Sequence, residues 1–115
     1  IVSNKAFNEK RDLLVKYVKA FFEARDALQA DPDMQAQLLY DWYTENGSET
    51  TLEACKDEIS TRPFVTSEEA KNITVGDSVQ VTGEFWVSQQ LLDESKFPEL
   101  ATHIDDTIVK EALGF

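Results

Sequence analysis

The sequence predicts a mainly α-helical chain, a single helical domain over residues 1–115, and three observations carry that expectation. Apolar residues recur at helical spacing over most of the length. Helix start and stop signals bound those stretches, among them Asp31-Pro32, the Thr66 to Glu69 pair, Gly47 and Gly114. No repeat, low-complexity run or flexible linker divides the chain, and its 42% apolar and 29% charged residues are the balance of a globular protein.

The first element is brief. In "IVSNKAFNEKRDLLVKYVKAFFEARD" the pair Ile1-Val2 reads as the end of a strand, followed by Ser3 and Asn4, which can cap a short turn holding Phe7. A strand end is an odd opening, so Ile1 is not expected to be the natural start. From Lys10 to Gln29 the pattern is helical: Leu14, Val18, Phe21, Phe22 and Leu28 share one side, Lys16, Lys19, Glu23 and Asp26 the other. The next helix lies in "ADPDMQAQLLYDWYTENG", with Asp31 as N-cap, Pro32 at the first helical position and Gly47 just past the end. Met34, Leu38, Leu39 and Trp42 are expected to form its buried stripe.

Thr50-Thr51-Leu52-Glu53 matches a capping box, and the helix it opens should bury Leu52, Cys55 and Ile59 before ending ahead of Pro63. An extended link, Arg62-Pro63-Phe64-Val65, leads to a second capping box, Thr66 to Glu69. Residues 78–88 are ambiguous. Val79, Val81, Phe85 and Val87 sit at alternating positions, as in a strand, whereas Val75, Val79, Thr82 and Trp86 follow a helical step. Finally, Asp105 or Asp106 can cap a helix carrying Ile108, Val109, Ala112 and Leu113, closed by Gly114.

Composition narrows function. The net charge of -11 is unevenly spread: residues 1–25 hold six basic and three acidic groups, residues 26–115 five basic and nineteen acidic. Such an acidic body repels phosphate backbones, so nucleic acid is not an expected partner. Cys55 is the one cysteine, which excludes an internal disulfide; its helical spacing with Leu52 and Ile59 marks a packed residue rather than a nucleophile. His103 is the one histidine, in a polar link near Pro98 and Asp105, and reads as a solvated loop residue. The carboxylate pairs (Asp31/Asp33, Asp57/Glu58, Glu68/Glu69, Asp93/Glu94, Asp105/Asp106) mostly fall at helix starts, where they complement the helix dipole. Asn46-Gly47-Ser48 and Asn72-Ile73-Thr74 match a glycosylation pattern but equally suit helix ends. No catalytic residue, metal or cofactor is assigned. Trp42, Trp86, Tyr17, Tyr40 and Tyr43 could line an aromatic ligand box, with core packing the ordinary role for Trp42. Arg62, directly before a proline in an otherwise acidic body, has two roles open to it: contact with a ligand anion, or a surface pair with a nearby carboxylate.

Taken in order, the pieces resemble the C-terminal part of solute-binding proteins of ABC importers, of the nitrate, sulfonate, taurine and thiamine-precursor type. Val2, Ser3, Asn4, Phe7, Leu14, Val15, Phe21, Ala24, Ala27, Asp31 and Pro32 match that family's pattern in the first part. Arg62, Pro63, Phe64, Thr66 and Glu69 match its link, and Asp106, Thr107, Val109, Ala112 and Gly114 its closing helix. The resemblance implies the helical C-terminal segment of a class II periplasmic-binding-protein-like α/β fold. It further implies a protein at the outer face of the cytoplasmic membrane, periplasmic or extracellular, that closes over a small solute and hands it to an ABC permease. It favours helix for residues 78–88, and Arg62 is the one ligand contact it carries over. A helical piece without its sheet is expected to expose apolar surface, and so to dimerise or dock onto a missing half. The competing reading is an independent acidic helical interaction module with Trp42, Tyr43 or Trp86 as anchors and basic partners.

Overall fold

A computed structural model describes residues 2–74, 76–97 and 103–115. Among them run α1 (Asn4–Glu9), α2 (Arg11–Ala30), α3 (Pro32–Glu45), α4 (Leu52–Thr61), α5 (Ser67–Ala70), α6 (Asp77–Ser88), a 3-10 turn (Glu94–Lys96) and α7 (Thr107–Leu113), with no strand. Ile1 of the expected strand end, Val75 of the helical step and Pro98 beside His103 lie outside the described residues. Val2 has no strand pairing, since a strand exists only through the ladder it makes with a neighbour.

Most helix starts are set by the residues the sequence singles out. The Ser3 hydroxyl accepts from the Ala6 amide (3.2 Å), and the Asp31 carboxylate accepts from the Met34 amide (3.0 Å), with Pro32 opening α3. In the Thr66 box the Glu69 amide donates to the Thr66 hydroxyl (3.2 Å) while the Thr66 amide donates to the Glu69 carboxylate (2.8 Å). One cap differs from expectation by one residue, and one of two open candidates is chosen. Thr51, not Thr50, caps α4 by accepting from the Ala54 amide at 3.1 Å, while the Thr50 hydroxyl turns to the Cys55 sulfur at 3.9 Å. At α7 the Asp105 carboxylate accepts from the Thr107 amide (2.9 Å), which frees Asp106 to pair with Lys110 (2.8 Å). Gly47 and Gly114, both at φ +76°, occupy the left-handed position past α3 and α7 that glycine adopts without strain.

The ambiguous stretch is helical, Asp77–Ser88. Its alternating apolar residues would serve a strand only beside another strand, whereas a helix pairs its amides and carbonyls within the segment.

α2 is the spine. α1, α3, α5 and α7 pack against it, and α4 packs against α3. Arg11 fastens α2 to α7, with its guanidinium 2.7 Å from the Glu111 carboxylate and 3.3 Å from the Thr107 hydroxyl.

The helix faces depart most from the sequence reading. α3 turns Gln35, Ala36, Leu39, Tyr40 and Tyr43 inward, and leaves Met34, Leu38 and Trp42 at 40%, 53% and 57% exposure. On α2, Phe21 is exposed as well, and Leu52 at the head of α4 is only partly covered. The reason is local geometry. Ala36 and Cys55 are small and almost wholly buried, so α3 and α4 meet across them, and that contact fixes which side of α3 is left outside.

The result is an open shape. The radius of gyration is 17.6 Å, against about 13 Å for a compact chain of this length. The accessible surface is 8735 Å², whereas a compact 13.0 kDa chain would show about 6,300 Å², so roughly 2,400 Å² is uncovered.

Candidate functional site: an apolar groove beside Arg62

The groove is built by the α3–α4 pair and the link that follows it. Two side-chain links hold the helices together. Lys56 reaches Asp33 at 2.6 Å, and the Tyr43 hydroxyl donates to the Glu58 carboxylate at 3.1 Å. The Lys56 ammonium holds the Asp33 carboxyl below its ordinary range, and the Glu58 bond pushes the Tyr43 phenol up. The Lys56–Asp33 pair is exposed and the Tyr43–Glu58 bond only part-buried, so the links orient the helices more than they stabilise them.

The link itself is pinned to α2. The Phe64 amide donates to the Gln29 side chain (3.2 Å), and the Ser67 amide donates to the Asp26 carboxylate (2.7 Å). Bonds from the Ser67 hydroxyl and amide draw the Asp26 carboxyl below its usual range. Phe64 also packs under the Arg25 guanidinium, which lies 5.1 Å from the Phe64 ring, 5.1 Å from Phe21 and 5.7 Å from Phe22. The Arg25 Nε is buried without a hydrogen-bond partner among the described residues, and the three ring faces supply its electrostatic compensation.

Between these elements lies a groove of about 380 Å³. Leu28, Leu38, Leu39, Ile59 and Phe64 make its walls, Trp42 and Glu58 stand at its edge, and Gln35 forms part of its lining. Gln35 is buried although polar, at 7% exposure. No sequence signal marks it, because a glutamine in the first turn of a helix ordinarily faces water.

Arg62 stands on the rim. Its side chain is 81% exposed, and its guanidinium lies 3.9 Å from the Glu58 carboxylate, the longest of the ion pairs among the described residues. Both roles open to it in the sequence are therefore still present: a loose carboxylate neighbour and a solvent-facing cation. The structure does not gather the aromatic residues into one box. Trp42 and Tyr43 pack edge to face with centroids 5.3 Å apart, and both Trp42 and Trp86 are half exposed. Cys55 is buried and His103 exposed. Among the described residues no group of three histidine, cysteine or acidic side chains could hold a metal, and no helix is long and apolar enough to cross a membrane. Asn46 and Asn72, the glycosylation candidates, donate their side-chain amides to the carbonyls of Trp42 (2.7 Å) and Glu68 (3.4 Å) at the ends of α3 and α5.

Among the described residues the candidate site is an apolar groove with the exposed Arg62 guanidinium on its rim. Over 114 residues, 99% of its length, the chain is 56% identical to a protein of Brachyspira hyodysenteriae provisionally named an ABC transporter periplasmic binding protein. The match takes in 33% of that relative, so the chain spans about a third of its length. No protein-family model and no solved structure matches the chain. The chain is thus similar to part of an ABC periplasmic binding protein. The relative's name gives that class and no solute type.

Proposed function

We propose that the chain serves as a helical segment of a solute-binding protein of an ABC importer, working on the periplasmic or outer side of the cytoplasmic membrane. The carrying observation is the 56% identity over nearly the whole chain to the Brachyspira relative. Such a protein captures a small solute between two lobes and delivers it to a membrane permease. The solute drives closure because it binds the closed form better. A small anion of the nitrate, sulfonate or taurine kind is the solute class proposed, with Arg62 as its contact in this segment. The exposed guanidinium and its loose 3.9 Å approach to Glu58 support that role, since an incoming anion has no tight ion pair to break.

The test is a chimera of the relative in which these 115 residues replace the matching third. Calorimetric titration with nitrate, taurine, an alkanesulfonate and a thiamine-precursor pyrimidine should find one saturable solute, bound at least about ten-fold more weakly after Arg62→Ala. A folded chimera, and an intact relative, that bind none of these refute the solute class. Unchanged affinity in Arg62→Ala removes Arg62 from the site and leaves the rest of the reading standing.

A further inference from the structure

We infer that the groove and the exposed α3 stripe beside it form the surface on which the remaining body of a periplasmic binding protein seats, with Leu38 and Trp42 as the buried anchors. This rests on the reading above that the chain is a segment of such a protein. Three observations point to that occupant. First, the amount of uncovered surface fits. Permanent, obligate interfaces bury about 2,000 Å² or more in total, about 1,000 Å² from each partner, and the roughly 2,400 Å² by which this chain exceeds a compact one of its size is ample for one side of such a contact. Second, the uncovered residues are organised. Met34, Leu38 and Trp42 recur every four residues along one side of α3, and Leu38 and Trp42 pass directly into the groove wall. A stripe of that kind beside a concave apolar surface is the pattern of a helix packed on both sides. Third, the relative that matches 99% of this chain is about three times as long, so a body large enough to cover the face accompanies the matching segment there.

Charge separates this occupant from a second copy of the same chain. Residues 26–115, which carry most of the groove, hold nineteen acidic and five basic groups. Two copies facing each other would bring two acidic bodies together, which slows encounter and costs affinity, although Glu58 and Arg62 at the groove itself offset each other. The occupant must therefore be apolar where it meets Leu38 and Trp42, and neutral or basic around them.

The test is thiol reactivity at one position in two settings. Leu38→Cys and, as a solvent-face control, Gln37→Cys, which lies off the stripe and is exposed, are made in the 115-residue chain and in the chimera described above; Cys55, at 1% exposure, remains as a silent thiol in both. Maleimide should modify both introduced thiols rapidly in the short chain. In the chimera Leu38→Cys should react about 100-fold more slowly, because modification then needs local opening, while Gln37→Cys keeps its rate. The same two substitutions at the matching positions of the intact relative give a second reading that does not depend on the chimera folding. Equal reactivity of Leu38→Cys in the short and long proteins overturns the inference. So does protection that appears in the short chain alone as its concentration rises, which would assign the face to a second copy. Neither outcome depends on solute binding, so the seating can hold where the solute class fails, and the reverse.

Discussion

Gly83 lies in the middle of α6, where glycine weakens a helix, yet it is one of the few buried positions among the described residues. A Cβ added there would collide with Cε2 of Phe97 and stand 2.7 Å from Cδ2 and 3.0 Å from Cζ, so the ring lies directly on the glycine. Two effects oppose each other in Gly83→Ala. Replacing glycine by alanine in a helix interior gains about 1 kcal/mol. Against that, the ring edge must retreat by more than an ångström to reach an ordinary contact, and overpacking of this kind costs about 1–3 kcal/mol. We expect the clash to win by up to about 2 kcal/mol, read as faster hydrogen exchange of the α6 amides and a lower urea midpoint. The control decides the cause. In a Phe97→Ala background the clash is gone, and Gly83→Ala should then stabilise by about 1 kcal/mol. If Gly83→Ala stabilises α6 equally with and without the Phe97 ring, the ring does not pack there and the reasoning fails.

Further outcomes follow from single contacts. Thr66→Ala removes the reciprocal cap of α5 and should cost about 1 kcal/mol in urea denaturation, with Thr66→Ser restoring most of it; an Ala variant as stable as the parent refutes the cap. Asp26 titrates lower folded than unfolded because Ser67 donates to its carboxylate, so its contribution is present above the ordinary carboxylate pKa and lost as pH falls through the lowered folded value. Asp26→Asn should therefore flatten the acid limb of stability against pH, and an unchanged limb counts against the bond. The Tyr43 phenol ionises above the ordinary tyrosine range because Glu58 accepts its proton bond and repels the phenolate. Its stabilising effect is full below the unfolded phenol pKa and is lost as pH rises through the raised folded value. Ultraviolet titration should show that late phenol moving down in Glu58→Gln, and no movement would dissociate the pair.

How much of this was legible in the sequence follows from the range of the interaction involved. Caps are local: the Thr66 box, the Asp31-Pro32 start and the two left-handed glycines could all be read because each partner lies within a few residues. At Thr50/Thr51, where the cap moves by one residue, and at Asp105/Asp106, where both were open, the sequence offered adjacent residues of equal chemistry, and only the path of the chain chooses between them. The α3 face was not legible. Periodicity identifies an apolar stripe but cannot say which of two adjacent stripes a neighbouring helix will take, and α4 took the one with Ala36. Gln35 and the pinning of the link by Asp26 and Gln29 were invisible for a related reason, since their meaning lies in residues up to 41 positions away.

The shared carboxylate of Glu58 bears on what Arg62 can do. Glu58 accepts from the Tyr43 hydroxyl at 3.1 Å and stands 3.9 Å from the Arg62 guanidinium, so the shorter bond holds the carboxylate toward α3. An exposed, non-contacting pair of this kind contributes little to stability, and drawing Arg62 away leaves Glu58 still bonded to Tyr43. An anion meeting Arg62 therefore gains a charge-assisted hydrogen bond without stranding an unpaired carboxylate. Had Glu58 been held by Arg62 alone, the same anion would have had to displace it and leave it unpartnered. Tyr43→Phe then has a definite consequence for the proposed solute contact: Glu58 is freed to close on Arg62, and the anion should bind the chimera more weakly although Tyr43 never touches it.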